Sequence, residues 1–232
     1  MPRSKHNGTS LEQLESEFRQ KKFAPIYLLY GEEDYLVEQA VNSLIENALD
    51  DDTKGFNLDV VHGNSVDGRD IVSLASAFPM MAERRVLILR DMDRLPNKEL
   101  LLPLIEKPVS STVMVLISAK PDFRLKVLKS LEKTARVVEF LQLYENEVPG
   151  WIGARIEKLG KRVSHEACQL IHASVGRSLR EIQNEIDKLF IFVGQKETIG
   201  EEDVAHVVGM SKQFNVFELQ RTIGSRRMGR SM

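Results

Sequence analysis

The chain has 232 residues, 42% of them hydrophobic and 28% charged, the balance of a folded globular protein and not of a disordered one. Its 32 basic and 34 acidic side chains leave a net charge of −2, so no bulk attraction to nucleic acid follows. The single cysteine, Cys168, excludes an internal disulfide and a cysteine metal site, and the longest apolar runs, such as Val113–Ile117, are too short to span a bilayer. With a polar Met1–Thr9 that has no secretory core, the expectation is a cytoplasmic protein.

Ser10-Leu-Glu-Gln13 has the form of a capping box and predicts a first amphipathic helix over Leu11–Lys21. Short β-rich runs follow at Ile26–Tyr30, Phe56–Val61, Val86–Arg90, Val113–Ile117 and Arg136–Phe140. Helical patterns lie between them at Asp34–Leu49, Gly68–Ala77, Asn97–Ile105 and Asp122–Leu131. This alternation predicts an α/β domain over residues 1–141, a mainly parallel sheet with helices on both faces.

Beyond Phe140 the strand signals stop. Glu147–Leu159 puts Val148, Trp151, Ile152, Ile156 and Leu159 on one face, and Ser164 can cap a helix over Glu166–Ala173. Leu179, Ile182, Ile186, Leu189, Phe190 and Val193 form the clearest stripe, closed by Gly194, and a short helix near Glu201–Val208 completes a small all-α domain over 142–211. Phe214–Ile223 opens another amphipathic helix, and residues 212–232 are expected to be the start of a truncated third domain. The last twelve residues hold four arginines and no acid, which leaves a basic tail as the other reading.

The junction Pro25–Leu36 carries the most information. An apolar strand runs into Gly31, Glu32, Glu33 and Asp34 at a helix start. A phosphate-binding loop in this place uses a glycine-rich turn and a Lys-Ser/Thr pair. Three carboxylates favour the positive helix end themselves and repel a polyphosphate, so these residues read as a degenerate nucleotide site. The strand Val86-Leu-Ile-Leu-Arg90 runs into Asp91 and Asp93, as a magnesium-binding strand would, but Arg90 intervenes and no Asp-Glu pair follows. An ordinary acidic loop is the better reading. Gly176-Arg-Ser-Leu-Arg180 is read as a structural helix start, since the other half of a phosphate site is missing.

Ala77-Phe-Pro-Met-Met-Ala82 sits where Pro79 ends a helix before a strand. Phe78, Met80 and Met81 either pack under the loop as core or stand out as an apolar plug for a partner's groove, a use that suits flexible methionine. Sequence alone leaves these two readings balanced. In Phe123–Lys133, Arg124, Lys126, Lys129 and Lys133 make either a DNA-facing stripe or a solvated helix face. The five histidines lack metal spacing, and no nucleophile–base pair stands out. No catalytic centre, cofactor or metal is expected.

In their order, four segments resemble the delta subunit of the bacterial DNA polymerase III clamp loader. They are Tyr27–Leu36, Ala75–Leu89, Gly176–Leu189 and Phe214–Gln220, within a likeness running over residues 23–223. The resemblance implies an AAA+-like α/β domain, a helical lid and a helical collar, of which this chain has only the start. It implies a non-catalytic part of a DNA-directed DNA polymerase, a nucleotidyltransferase assembly, in which other subunits handle ATP. The absence of the Ser-Arg-Cys motif agrees, since Arg136 has a different context and Cys168 lies in the lid.

The same resemblance implies that residues just before the third strand grip the sliding clamp, by position Met80 and Met81 with Phe78 beside them. Implied partners are the beta clamp, the delta prime and tau/gamma loader subunits, and primer–template DNA through the assembled loader. Arg124, Lys126 and Lys129 are the possible DNA contacts. Two other readings remain at this point: a DNA-binding regulator on a degenerate ATPase fold, and an atypical AAA+ ATPase.

Overall fold

The computed structural model describes residues 10–208. The chain divides after Gln142 into two compact units. The basic tail, the Phe214–Ile223 helix and the third domain expected from the sequence lie outside the described residues. Among the described residues, no helix is long and apolar enough to cross a membrane.

In the first unit the elements run α1 (Leu11–Arg19), β1 (Ile26–Gly31), α2 (Asp34–Ala48), α3 (Asp51–Asn57), β2 (Leu58–His62), α4 (Gly68–Ser76) and β3 (Arg85–Arg90). They continue through α5 (Leu102–Glu106), β4 (Thr112–Ser118), α6 (Lys126–Thr134) and β5 (Arg136–Phe140). The five strands pair in parallel in the order β2-β3-β4-β1-β5. Interior strands of such a sheet are covered on both faces, so they read as unbroken apolar runs, and Val86–Leu89 and Ile26–Tyr30 are buried throughout. β2, at the edge, is only half-buried.

One face packs Leu28, Leu87, Leu89 and Leu116 against Ile71 and Ala75 of α4, Ile105 of α5 and Leu128 and Leu131 of α6. On the other face Phe18 of α1 meets Tyr27 of β1 edge-on, ring centroids 5.7 Å apart. Each fully buried side chain of this size contributes about 1.5–3 kcal/mol relative to exposure, so the sheet and its helices fix one another. The capping box forms: Ser10 Oγ accepts from the Gln13 N–H at 3.2 Å, and Gln13 Oε1 accepts from the Ser10 N–H at 3.0 Å.

Three local expectations shift. Phe56 and Asn57 belong to the end of α3, not to a strand, because the Asn57 side chain donates back to the Thr53 carbonyl at 2.9 Å. The helix expected over Asn97–Ile105 is a 3-10 turn at Lys98–Leu101 followed by α5, since Pro103 has no N–H for an α-helical bond. α6 starts at Lys126 because Asp122 folds its side chain onto the Arg124 N–H at 3.0 Å, a turn that competes with the helix.

The second unit contains α7 (Val148–Lys158), β6 (Arg162–Val163), α8 (His165–Val175), α9 (Leu179–Val193) and β7 (Thr198–Ile199), with residues 201–208 helical. Ile152, Ile156, Ile171, Ile182, Ile186 and Leu189 are buried, as the apolar stripes predict. To this helical unit the structure adds a two-residue parallel pair, Arg162 with Thr198 and Val163 with Ile199.

Candidate functional site

The two regions singled out in the first unit lie at opposite ends of its parallel sheet. At the end where β1 finishes, Gly31 adopts φ +131°, and a Cβ there would come within 2.1 Å of the Phe140 carbonyl oxygen. Only glycine fits so close an approach. The Glu33 N–H then donates to the same Phe140 carbonyl at 3.1 Å, which seats the turn on the end of β5. Glu33 is buried, whereas Glu32 and Asp34 are exposed at the start of α2.

Strand order reverses around β1, the place where open α/β sheets commonly bind ligands. Here internal pairs hold the strand ends together. The Arg90 guanidinium at the end of β3 donates two hydrogen bonds to the Glu38 carboxylate of α2, one of them at 3.0 Å. These bonds hold Arg90 still more firmly protonated. Asp93 accepts from the Ser118 hydroxyl at 2.7 Å and from the Ala119 N–H at 3.1 Å, tying the loop after β3 to the end of β4. Asp91 lies 3.3 Å from His62 Nδ1. Among the described residues no group of three or more His, Cys, Asp or Glu could hold a metal ion. The acidic-loop reading of Asp91 and Asp93 therefore has specific partners.

The opposite end carries the reversal between α4 and β3. Asp67 and Asp70 form a capping box at the start of α4, and the buried Thr112 hydroxyl donates to the Ala75 carbonyl at 2.8 Å near its end. After Ala77 the chain turns outward. Phe78 is 85% exposed, Met80 57% and Met81 91%, so these side chains are not core. Burying a side chain of this kind in a partner's pocket is worth about 1.5–3 kcal/mol each, on the scale of an interface hot spot.

The reversal is nonetheless held firmly. Asn57, fully buried at the end of α3, accepts from the Met80 N–H at 2.7 Å and donates to the Met80 carbonyl at 2.8 Å. Met81 next to it is in the left-handed region at φ +55°, a conformation that costs a non-glycine residue about 1–2 kcal/mol. Beyond the turn, buried Arg85 forms an ion pair with Asp59 of β2, and Arg84 stacks over the Phe23 ring at 4.8 Å. Sequence reasoning missed Asn57, Thr112 and Asp59. The one available signal was an amide inside the apolar run Phe56–Val61.

The basic segment is less uniform than expected. Lys126, Lys129 and Lys133 are exposed on α6 at spacings that share one face. Arg124 precedes the helix and is committed to Asp122 through two side-chain bonds of 2.8 and 2.9 Å. Hydrogen bonding to Arg124 pulls the Asp122 carboxyl down to about 2, so this arginine's charge is locally compensated. In the second unit Arg177 is exposed just before α9, whose cap is Ser178. Burial pushes the Cys168 thiol up to about 11, which keeps it protonated and unreactive at neutral pH.

Comparison with known proteins agrees with this architecture. The family model described as "DNA polymerase III, delta subunit" matches residues 27–141. The DNA polymerase III subunit delta of Bacillus subtilis (strain 168) is 31% identical over 220 residues, covering 90% of this chain and 63% of that protein. The probable DNA polymerase III subunit delta of Aquifex aeolicus (strain VF5) is 24% identical over 207 residues, covering 83% of this chain and 57% of that protein. This chain thus spans about three-fifths of the length of these two curated relatives. The solved Bacillus subtilis DNA clamp loader delta protein superimposes with a TM-score of 0.74 at 29% identity, over 95% of this chain and 68% of that one. By family match, identity and fold together, the chain resembles the DNA polymerase III delta-subunit family.

Proposed function

We propose that this chain acts in DNA replication as the non-catalytic clamp-loader subunit that binds the sliding clamp and opens it for loading onto primed DNA. The observation that carries this reading is the reversal at residues 78–81. In a chain that resembles the delta family it presents Phe78, Met80 and Met81 to solvent on a turn fixed from beneath. Met80 and Met81 enter an apolar pocket of the clamp, and Phe78 supports them.

Binding alone does not open a ring. The subunit must hold the opened clamp more tightly than the closed one, because only differential affinity shifts that equilibrium. ATP is handled by the partner subunits, delta prime and tau/gamma. The carboxylates at Glu32, Glu33 and Asp34 and the Glu38–Arg90 pair support a subunit without nucleotide chemistry of its own. In this reading the first unit is the clamp-binding AAA+-like domain and the helical unit that follows is the lid. Lys126 and Lys129 face primer–template DNA in the assembled loader, in the cytoplasm.

The test is clamp release from nicked circular DNA. The wild-type chain should speed release without ATP, and Met80→Ala/Met81→Ala should not. Release no faster than the spontaneous rate at saturating wild-type chain would overturn the opening role. Tight ATP binding by the isolated chain would favour the ATPase reading instead.

A further inference from the structure

Asn57 contacts the reversal at a single residue, and it does so on both sides of that residue's backbone. Its Oδ1 accepts from the Met80 N–H at 2.7 Å, and its Nδ2 donates to the Met80 carbonyl at 2.8 Å and to the Thr53 carbonyl at 2.9 Å. This pairing imitates one rung of a β-ladder, made by a side chain from an element 23 residues earlier. Asn57 is fully buried, so water does not compete for these bonds. The side chains on either side of the clasp, Phe78 and Met81, are the most exposed large apolar groups among the described residues of the first unit. Without a fixed backbone, such side chains would fold down onto the nearest apolar surface.

We propose that Asn57 is a positioning residue that presets the Phe78–Met81 reversal for its partner, so that docking does not have to order the turn. The proposal rests on the clamp-binding reading of that reversal. A preorganised turn loses less conformational freedom on association than a loose one, and the gain shows as affinity without any new contact. Asn57 itself touches no partner. Its amide, with an acceptor on one atom and a donor on the other, is the chemistry needed to hold an N–H and a carbonyl of the same residue.

A protonated carboxyl has nearly the same shape and keeps the acceptor and one of the amide's two N–H donors, enough for the Met80 pair, whereas a carboxylate only accepts. Asn57→Asp therefore supplies a titratable version of the clasp. When ionised, its second oxygen faces the Met80 and Thr53 carbonyls and repels them; burial and those carbonyls favour the neutral form. The titratable groups on the adjoining segments are Asp51, Asp52 and Lys54 on α3, Asp59 on β2, and Glu83, Arg84 and Arg85 after the turn; Asp59 pairs with Arg85 and Glu83 with Arg84.

The experiment measures hydrogen exchange at the Met80 amide and affinity for the sliding clamp, using the full chain with wild type, Asn57→Ala and Asn57→Asp. The expected result is a protected Met80 amide in the wild type and fast exchange in Asn57→Ala, with roughly tenfold weaker clamp binding. Asn57→Asp should bind weakly at pH 8 and recover toward wild type near pH 5.5, with affinities taken relative to wild type at each pH. Adding either substitution to Phe78→Ala/Met80→Ala/Met81→Ala should cause no further loss.

Unchanged Met80 exchange in folded Asn57→Ala, or in folded Asn57→Asp at pH 8, overturns the proposal. So does an equal loss of affinity with and without the three apolar side chains of the reversal. If Asn57→Ala does not fold, Asn57→Asp at the two pH values decides the matter. If the wild-type chain fails to bind the clamp, the clamp reading falls, and the exchange result alone decides whether Asn57 presets the turn.

Discussion

The two ends of the same parallel sheet are built on opposite principles. Where β1 finishes, polar groups turn inward on one another: Glu38 with Arg90, Asp93 with Ser118 and Ala119, and the Glu33 amide with the end of β5. At the other end, between α4 and β3, polar backbone groups are satisfied from beneath by Asn57 and the apolar side chains turn outward. The first arrangement ties together the place where such folds commonly take a ligand. The second leaves apolar side chains open to solvent, which the proposed function assigns to a partner. A fold with an unused ligand end can keep it as structure while recognition moves to a loop at the far end.

The largest effect is expected at the closed end. Gly31→Ala drives a Cβ into the Phe140 carbonyl from a backbone conformation that alanine avoids. It should lower unfolding stability by about 3 kcal/mol or more in chemical denaturation. A tolerated Gly31→Ala would show that the β1–β5 seating is looser than described. Next comes Glu38→Gln, which leaves the half-buried Arg90 without its carboxylate. A loss of about 1–2 kcal/mol is expected, with clamp affinity unchanged in the fraction that remains folded. A drop in clamp affinity instead would mean that the two ends are coupled.

At the open end, Phe78→Ala should leave stability within about 0.5 kcal/mol, because the ring is already in water. It should still weaken clamp binding by an amount near 1 kcal/mol, read by titration calorimetry. A melting point lowered by several degrees would place the ring in the core after all. The smallest effect is expected from Lys126→Ala/Lys129→Ala. In the assembled loader, the log–log salt slope of DNA binding should flatten by about 1–2, with no change in clamp affinity. An unaltered slope would leave these lysines as a solvated helix face.

Much of the sheet could be read from the sequence because interior parallel strands are apolar on both faces. Val86–Leu89 and Val113–Ile117 could hardly be anything else. Boundaries set by single side-chain hydrogen bonds were harder to see. Phe56 looks like a strand residue until Asn57 is seen bonding back to Thr53, and the helix at Asp122 looks continuous until its carboxylate is seen holding Arg124.

The candidate site divides in the same way. The acids at Glu32–Asp34 were visible as residue types in the wrong place for phosphate. Whether Phe78, Met80 and Met81 were core or surface could not be decided, since an apolar residue in a turn fits both. The groups that settle the geometry, Asn57 for Met80 and Glu38 for Arg90, lie 23 and 52 residues away along the chain. No local pattern reports contacts of that range.

The most direct test of the account is equilibrium binding of the full chain to the sliding clamp of the same organism, with wild type beside Met80→Ala/Met81→Ala. The account predicts tight binding by the wild type and a loss of about a hundredfold or more in the double variant, with its unfolding transition unchanged. Equal affinity in the two proteins, or no binding by a well-folded wild type, would contradict it.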